Sequence, residues 1–192
     1  MFMKNLKNKI ADVLIHELET KTLDKITVFD IVSKLDVSRQ AFYYHFYDVY
    51  AVVEWIFTQA ATTILDSNSD IDSWSVGFYT IMLWLKGHDK FVINSYHSVP
   101  RDYVDKFMNK VSKPYVEKVV IAESKGTRLK EEQRAFITKF YTLSFNAVVI
   151  DWIKHGMKED PKAIISNVAT LIYGDVKKAA INFDKMNRMG RN

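Results

Sequence analysis

From Leu6 to Phe183 the apolar residues recur at intervals of three and four and show no sustained alternation, so the chain is expected to bury them as helices. With 6 Gly and 3 Pro in 192 residues, little interrupts those helices and little supports a turn-rich β fold. Leu6, Ile10, Val13, Leu14 and Leu18 share one face of a first predicted helix, 3–20. Thr27 opens a second: its hydroxyl is placed to cap an orphan N–H, and Asp30 sits in the positive first turn. Val28, Ile31, Val32 and Leu35 form that helix's apolar face, and Asp36-Val37 is a turn. Ser38 caps a short third helix, Arg39 to His45. Asp48 caps a longer fourth, whose inner face carries Val52, Val53, Ile56, Phe57, Ala60, Ile64 and Leu65.

A polar joint at 66–70 precedes further helical spacing to about 184. Pro114 is expected to break or kink the segment 101–125. The longest pattern, 131–155, is capped by Gly156. Asp160-Pro161 starts a last helix to about Phe183, followed by a basic tail at 185–192 expected to fray. The predicted class is all-α, with about nine helices. A three-helix N-terminal unit, 1–47, leads into a helical bundle, 48–192.

Charge does not by itself point to DNA. The formal net charge is +4, yet residues 1–50 hold seven Lys and Arg against seven Asp and Glu. Any nucleic-acid reading there must rest on where side chains point. The absence of Cys excludes disulfides, cysteine-zinc sites and thiol nucleophiles, and suits a reducing interior. No window of about 18 uncharged apolar residues occurs and no apolar signal core follows the N-terminus, so a cytoplasmic protein without a membrane partner is expected.

Two short helices joined by a tight turn, the second polar on one face, form a helix-turn-helix pattern. Such a recognition helix must dock its back on a core while presenting side chains to a groove. Val37, Phe42 and Phe46 suit the back, and Arg39, Gln40, Tyr44 and His45 are left facing outward. Arg pairs bidentately with guanine and Gln with adenine, while Tyr43, Tyr44 and His45 can donate to phosphates.

The stretch 26–46 resembles the DNA-binding signature of the TetR family: Thr27 initiates a helix, Val37-Ser38 forms the turn, and Arg39-Gln40-Ala41-Phe42-Tyr43-Tyr44-His45-Phe46 ends in Tyr-x-x-Phe. The resemblance covers about 5–55. It implies a homodimeric regulator, in the first instance a repressor, that binds a double-stranded DNA operator. It also implies DNA contacts by Thr27, Ser38, Arg39, Gln40, Tyr43, Tyr44 and His45. Two positions depart from the pattern: Asp36 stands where the family usually has Gly, and Val49 where it usually has a phosphate-touching Lys. Phe29 also occupies a position that tends to be exposed. The stretch 50–57, the run 140–152 and Gly156 are similar to a subgroup that includes activators of dihydroxyacetone-kinase operons, in which the effector is a partner protein.

Two further jobs are implied for the remaining helices. Phe136, Phe140, Leu143, Ala147, Ile150 and Ile153 make one stripe, and Ile164, Val168, Leu171, Ile172 and Val176 another. They read either as a dimer interface or as internal core. Trp55, Trp84, His88, Tyr96, Tyr141 and Phe145, with His97 and Trp152 nearby, read either as the lining of an effector pocket or as filled core. No cofactor, metal or enzymatic role is expected: the five His show no i, i+4 pair, and no phosphate loop or nucleophile elbow is present. Asp102 and Asp105 share a helical side as a solvated pair. A regulator-derived interaction module, or a regulator controlled by a partner protein, is the alternative to a small-molecule-responsive repressor.

Overall fold

The computed structural model describes residues 2–67, 74–172 and 174–189, with backbone only for 2–5. Among them every regular element is helical: ten α-helices and one 3-10 turn. The four-residue spacing of Ile10, Leu14 and Leu18 produces α1 (Phe2–Leu18), and all three side chains are fully buried. The 3-10 turn Leu23–Lys25 leads to α2 (Val28–Leu35). Asp36 ends α2 in the left-handed region, at φ 51° and ψ 48°, with its N–H bonded to Val32 O. Asp is among the few residues that enter this region at modest cost, so the turn survives without glycine.

Next comes α3 (Arg39–Tyr43), shorter than the expected run to His45. The His45 N–H bonds to Phe42 O at 2.9 Å, so the helix tightens and stops. Asp48 then caps α4 (Val49–Asp66), its carboxylate accepting the Ala51 N–H at 2.8 Å.

The remaining helices are α5 (Trp74–Gly87), α6 (Asp89–Ser98), α7 (Arg101–Glu123), α8 (Glu131–Lys154), α9 (Pro161–Ile172) and α10 (Asp175–Met189). Helices α7 and α8 pack antiparallel. Between them Ser112 Oγ donates to Asn146 Oδ1 at 2.8 Å, and Asn146 Nδ2 donates to Asn109 Oδ1 at 3.0 Å. Of the two outcomes expected at Pro114, a break or a kink, the break does not occur, since α7 continues through it. Buried Ser112 and Val120 on either side hold both halves of α7 in place, and the loss of one backbone donor is tolerated. The single helix expected from Pro161 to about Phe183 is divided instead at Gly174, whose φ is +77°. Gly156 ends α8 as expected, and Met157 beside it also has positive φ. The buried Met157 side chain offsets that backbone cost. Residues 68–70 of the polar joint and 190–192 of the tail lie outside the described residues.

One apolar cluster runs from Ile10 in α1 through Phe42 and Phe46 to Trp152 and Ile165. Helix α6 presses on the N-terminal unit: Asn94 Nδ2 donates to Leu18 O at 2.7 Å, and the Leu23 N–H donates to Ser98 Oγ at 3.1 Å. A smaller cluster of Val120, Ile137 and Val176 joins α7, α8 and α10.

The N-terminal unit also contains a buried acid. Glu17 on α1 pairs with Lys21 at 2.6 Å and with Lys34 on α2. Hydrogen bonds from Lys21 and then Lys34 hold its pKa below the ordinary glutamate value, against the opposing effect of burial. A lowered native pKa stabilises fully above the unfolded value, and the gain is lost as the pH falls through the native one. Glu17→Gln is therefore expected to cost about 1–2 kcal/mol at neutral pH, discounted because both ammonium groups are half-exposed. In urea unfolding from pH 7 to 3, the gap between variant and parent should close at the acid end. A gap that persists there would show that the ion pairs are not its cause.

Candidate DNA-contact surface and core cavity

The local chemistry of residues 27–48 sets three helix starts and one exposed face. Thr27 Oγ1 accepts the Asp30 N–H at 3.2 Å, while Asp30 Oδ2 accepts the Thr27 N–H at 2.8 Å and its hydroxyl at 2.7 Å. These bonds lower the pKa of Asp30. Both Thr27 donors thus point at a carboxylate, and a phosphate would have to compete with Asp30 for them. Ser38 Oγ accepts the Ala41 N–H at 3.1 Å, which leaves its own proton for an external acceptor.

On α3 the division of faces is sharp. Phe42 is 0% exposed, and its ring meets those of Tyr43 at 5.6 Å and Phe46 at 6.0 Å. Val37 is half-buried against the same core. Arg39, Gln40, Tyr43 and Tyr44 point outward, Tyr44 with 70% of its surface in solvent. His45 is half-buried, with its ring 5.0 Å from that of Tyr44. The Arg39 guanidinium lies over the exposed Phe29 ring at 5.6 Å, which narrows the positions available to the cation. Val49 is 7% exposed, so the first turn of α4 offers no cationic side chain at that position. Behind α3, Lys7 sits over the Phe46 and Trp55 rings at 5.2 and 5.4 Å.

Deeper in the molecule, α4, α5, α6, α7 and α8 line a partly open cavity of about 120 Å³. Its wall is almost wholly aliphatic and aromatic, and Trp84, Tyr96 and Phe145 of the predicted lining set are part of it. The other three lie elsewhere. Trp55 faces a surface groove between α1 and α4, and His88 stacks on Trp84 at 4.4 Å. Tyr141 lines a separate void of about 30 Å³ between α7, α8 and α10. Burial and then the Asp175 charge raise the Tyr141 pKa. Of the two nearby residues, His97 is exposed and Trp152 is core, its indole donating to Glu159 O at 3.1 Å.

Polar groups at the wall were missed from the sequence. Glu54 on α4 accepts hydrogen bonds from the Tyr103 hydroxyl and from Lys110 Nζ, the latter at 3.0 Å. These bonds hold Glu54 below the ordinary carboxylate range. Burial, and then the contact with Glu54, pushes the Tyr103 phenol up to about 12, so the phenol remains a donor at neutral pH. The signal was an acid set between apolar neighbours, Val53 and Trp55. Ser95 on α6 also lines the cavity, and its sequence surroundings gave no such signal. Among the described residues no cluster of three or more His, Asp and Glu could hold a metal, and no helix is long and apolar enough to cross a membrane.

Comparison with known proteins agrees with this arrangement. The family model for the C-terminal region of TetR-type transcriptional regulators matches residues 72–174, more than half of the chain. No curated protein sequence matches. A solved structure described as the dihydroxyacetone kinase operon activator DhaS is similar, with a TM-score of 0.70 and 18% identity over 89% of this chain and 96% of that one. At that identity the likeness is one of fold, and at 89% coverage it extends beyond residues 72–174. The chain belongs to the TetR family of transcriptional regulators.

Proposed function

We propose that the protein is a homodimeric, DNA-binding repressor. Residues 1–47 grip an operator, and 48–192 dimerise and respond to an effector. One observation carries the DNA reading: α3 buries Phe42 completely while Arg39, Gln40, Tyr43 and Tyr44 stand together in solvent. Arg39 and Gln40 supply base-reading groups, with Tyr44 alongside. Ser38, Tyr43, His45 and Thr27 supply phosphate contacts, Thr27 only if Asp30 releases it. The buried Val49 and the pairing of Lys21 and Lys34 with Glu17 remove cations from the count of phosphate partners, so a shallow salt dependence is expected.

The dimer reading draws on α8, where Phe136, Phe140, Leu143 and Ala147 share one solvent-facing side, and on Leu171 of α9. The effector reading draws on the cavity. Regulation acts by population shift: a ligand that prefers one spacing of the paired recognition helices changes operator affinity. The cytoplasm, where the DNA is, is the place of action. A second reading is a regulator that activates under the control of a partner protein; the name of the structurally similar DhaS, an operon activator, supports the activating half of it. A reporter driven from the protein's own upstream region separates the two, rising on deletion for a repressor and falling for an activator.

The direct test is a gel shift on that upstream DNA at several salt concentrations. Arg39→Ala is expected to weaken specific binding by about 1–3 kcal/mol, roughly 5- to 150-fold, and to relax preference at one base pair. Tyr43→Phe should weaken binding evenly across sequences. If neither variant changes affinity, α3 is not the reading element.

A further inference from the structure

Helix α6 carries two serines one turn apart with different fates. Ser98 Oγ donates to Asn94 O at 2.8 Å, the usual arrangement for a helical serine, and accepts the Leu23 N–H. The Ser112 hydroxyl on α7 lies 2.8 Å from Met108 O and from Asn146 Oδ1, so its one proton has an acceptor. Ser95 is 2% exposed, and its buried Oγ has no hydrogen-bond partner. A hydroxyl in that state costs free energy unless something meets it. It lies on the wall of the core cavity.

Three other polar side chains on that wall already have hydrogen-bond partners. Glu54 is held by Tyr103 and Lys110, Ser112 donates to Asn146, and the Tyr96 hydroxyl accepts from Arg101 at 2.6 Å. Of the cavity-lining residues, Ser95 is the one whose fully buried side-chain oxygen has no partner, so an occupant with a polar group gains most by meeting it. Apolar voids of about 150 Å³ accept benzene-sized molecules, so a cavity of about 120 Å³ is on the scale of one small ring. The Glu54 carboxylate at the wall repels an anion, and no cation there is free to pair with one.

We propose that this cavity takes an uncharged, single-ring or similarly compact apolar molecule bearing one polar group, which pairs with Ser95 Oγ. The inference rests on reading the cavity as the effector site and adds the chemical class of the effector. Alternation of pocket and clamp along α6 gives the ligand a short route to DNA: Ser95 faces it, while Asn94 and Ser98 hold the N-terminal unit.

Calorimetry on the full chain with phenol, toluene, benzoate and 2-naphthol tests the class. Phenol and toluene should each bind saturably, one per chain. Benzoate should bind at least ~100-fold more weakly, because its charge would be buried without a partner. 2-Naphthol, larger than the space beside Ser95, should bind more weakly than phenol. In Ser95→Ala the phenol-to-toluene affinity ratio should fall by about three- to tenfold. Toluene measured on the same variant controls for damage to the fold, which would lower both affinities together.

Failure of both neutral rings to bind overturns the proposal. So does benzoate or 2-naphthol binding as tightly as phenol, or a ratio unchanged by Ser95→Ala. A gel shift with saturating phenol reads the regulatory claim separately: binding that leaves operator affinity unchanged would remove the effector reading and keep the ligand class.

Discussion

The double variant Phe136→Glu/Phe140→Glu is expected to be monomeric and to bind the operator at least about 100-fold more weakly than the parent. Phe136 is 61% exposed and Phe140 nearly as much, with Leu143 and Ala147 continuing the same side of α8. Contiguous aromatic surface of this kind on a helix marks an association face. A two-fold axis would set the patch against its own copy, so carboxylates introduced at 136 and 140 would meet their equivalents as like charges in a desolvated seam. The loss of affinity follows from linkage: two tethered reading heads gain about 10²–10⁴ over one, and a monomer forfeits that gain. Analytical ultracentrifugation and a gel shift check the two halves of the claim. The melting temperature of the isolated fold should hardly move, since neither ring is in the core. A double variant that remains dimeric would place the interface elsewhere.

Phe42→Ala is expected to destabilise the protein by about 3–5 kcal/mol and to abolish operator binding. A helix as short as α3 has no stability of its own, because the cost of nucleation exceeds what a few hydrogen bonds return. Its shape depends on the Phe42 ring, wholly buried against Phe46, which in turn meets Trp55 at 5.8 Å. Removing it leaves a cavity at the junction of α3 and α4 and frees the exposed face from its foundation. Urea unfolding reads the first effect and a gel shift the second. Arg39→Ala is the contrast, losing DNA affinity at unchanged stability. Should Phe42→Ala keep both stability and binding, the anchoring role of that ring is wrong.

What could be read from the residues was local chemistry. Thr27, Ser38 and Asp48 each cap the helix they were expected to cap, because an Oγ or carboxylate acts within three residues of itself. Asp36 adopts the left-handed turn for the same reason. Decisions made by distant neighbours were not legible. Periodicity shows which side of a helix is apolar but not what covers it: Phe136 and Phe140 face solvent, while Ile150 and Ile153 on the same stripe are core. At Pro114 the residues allowed either a break or a kink, and the continuity of α7 depends on its packing against α8, which is invisible in a run of residues. Gly174 divides a pattern that periodicity alone carried through to Phe183. Among the aromatics, Trp84, Tyr96 and Phe145 reach the cavity and Trp55, His88 and Tyr141 do not, a difference set by helix rotation rather than by residue type. Ser95 was hidden because its distinction is a missing partner, which only the folded chain reveals.

The clamp between α6 and the N-terminal helices has a consequence for anyone who would transplant the reading head. Leu18 O and the Leu23 N–H are satisfied by Asn94 and Ser98, far downstream in the chain, and the apolar cluster passes from Ile10 to Ile165 without interruption. A graft of the first fifty residues onto another body would arrive with two raw backbone groups and an unroofed patch of oil. If α3 reads DNA as proposed, retargeting should begin from its side chains rather than from a cut between helices.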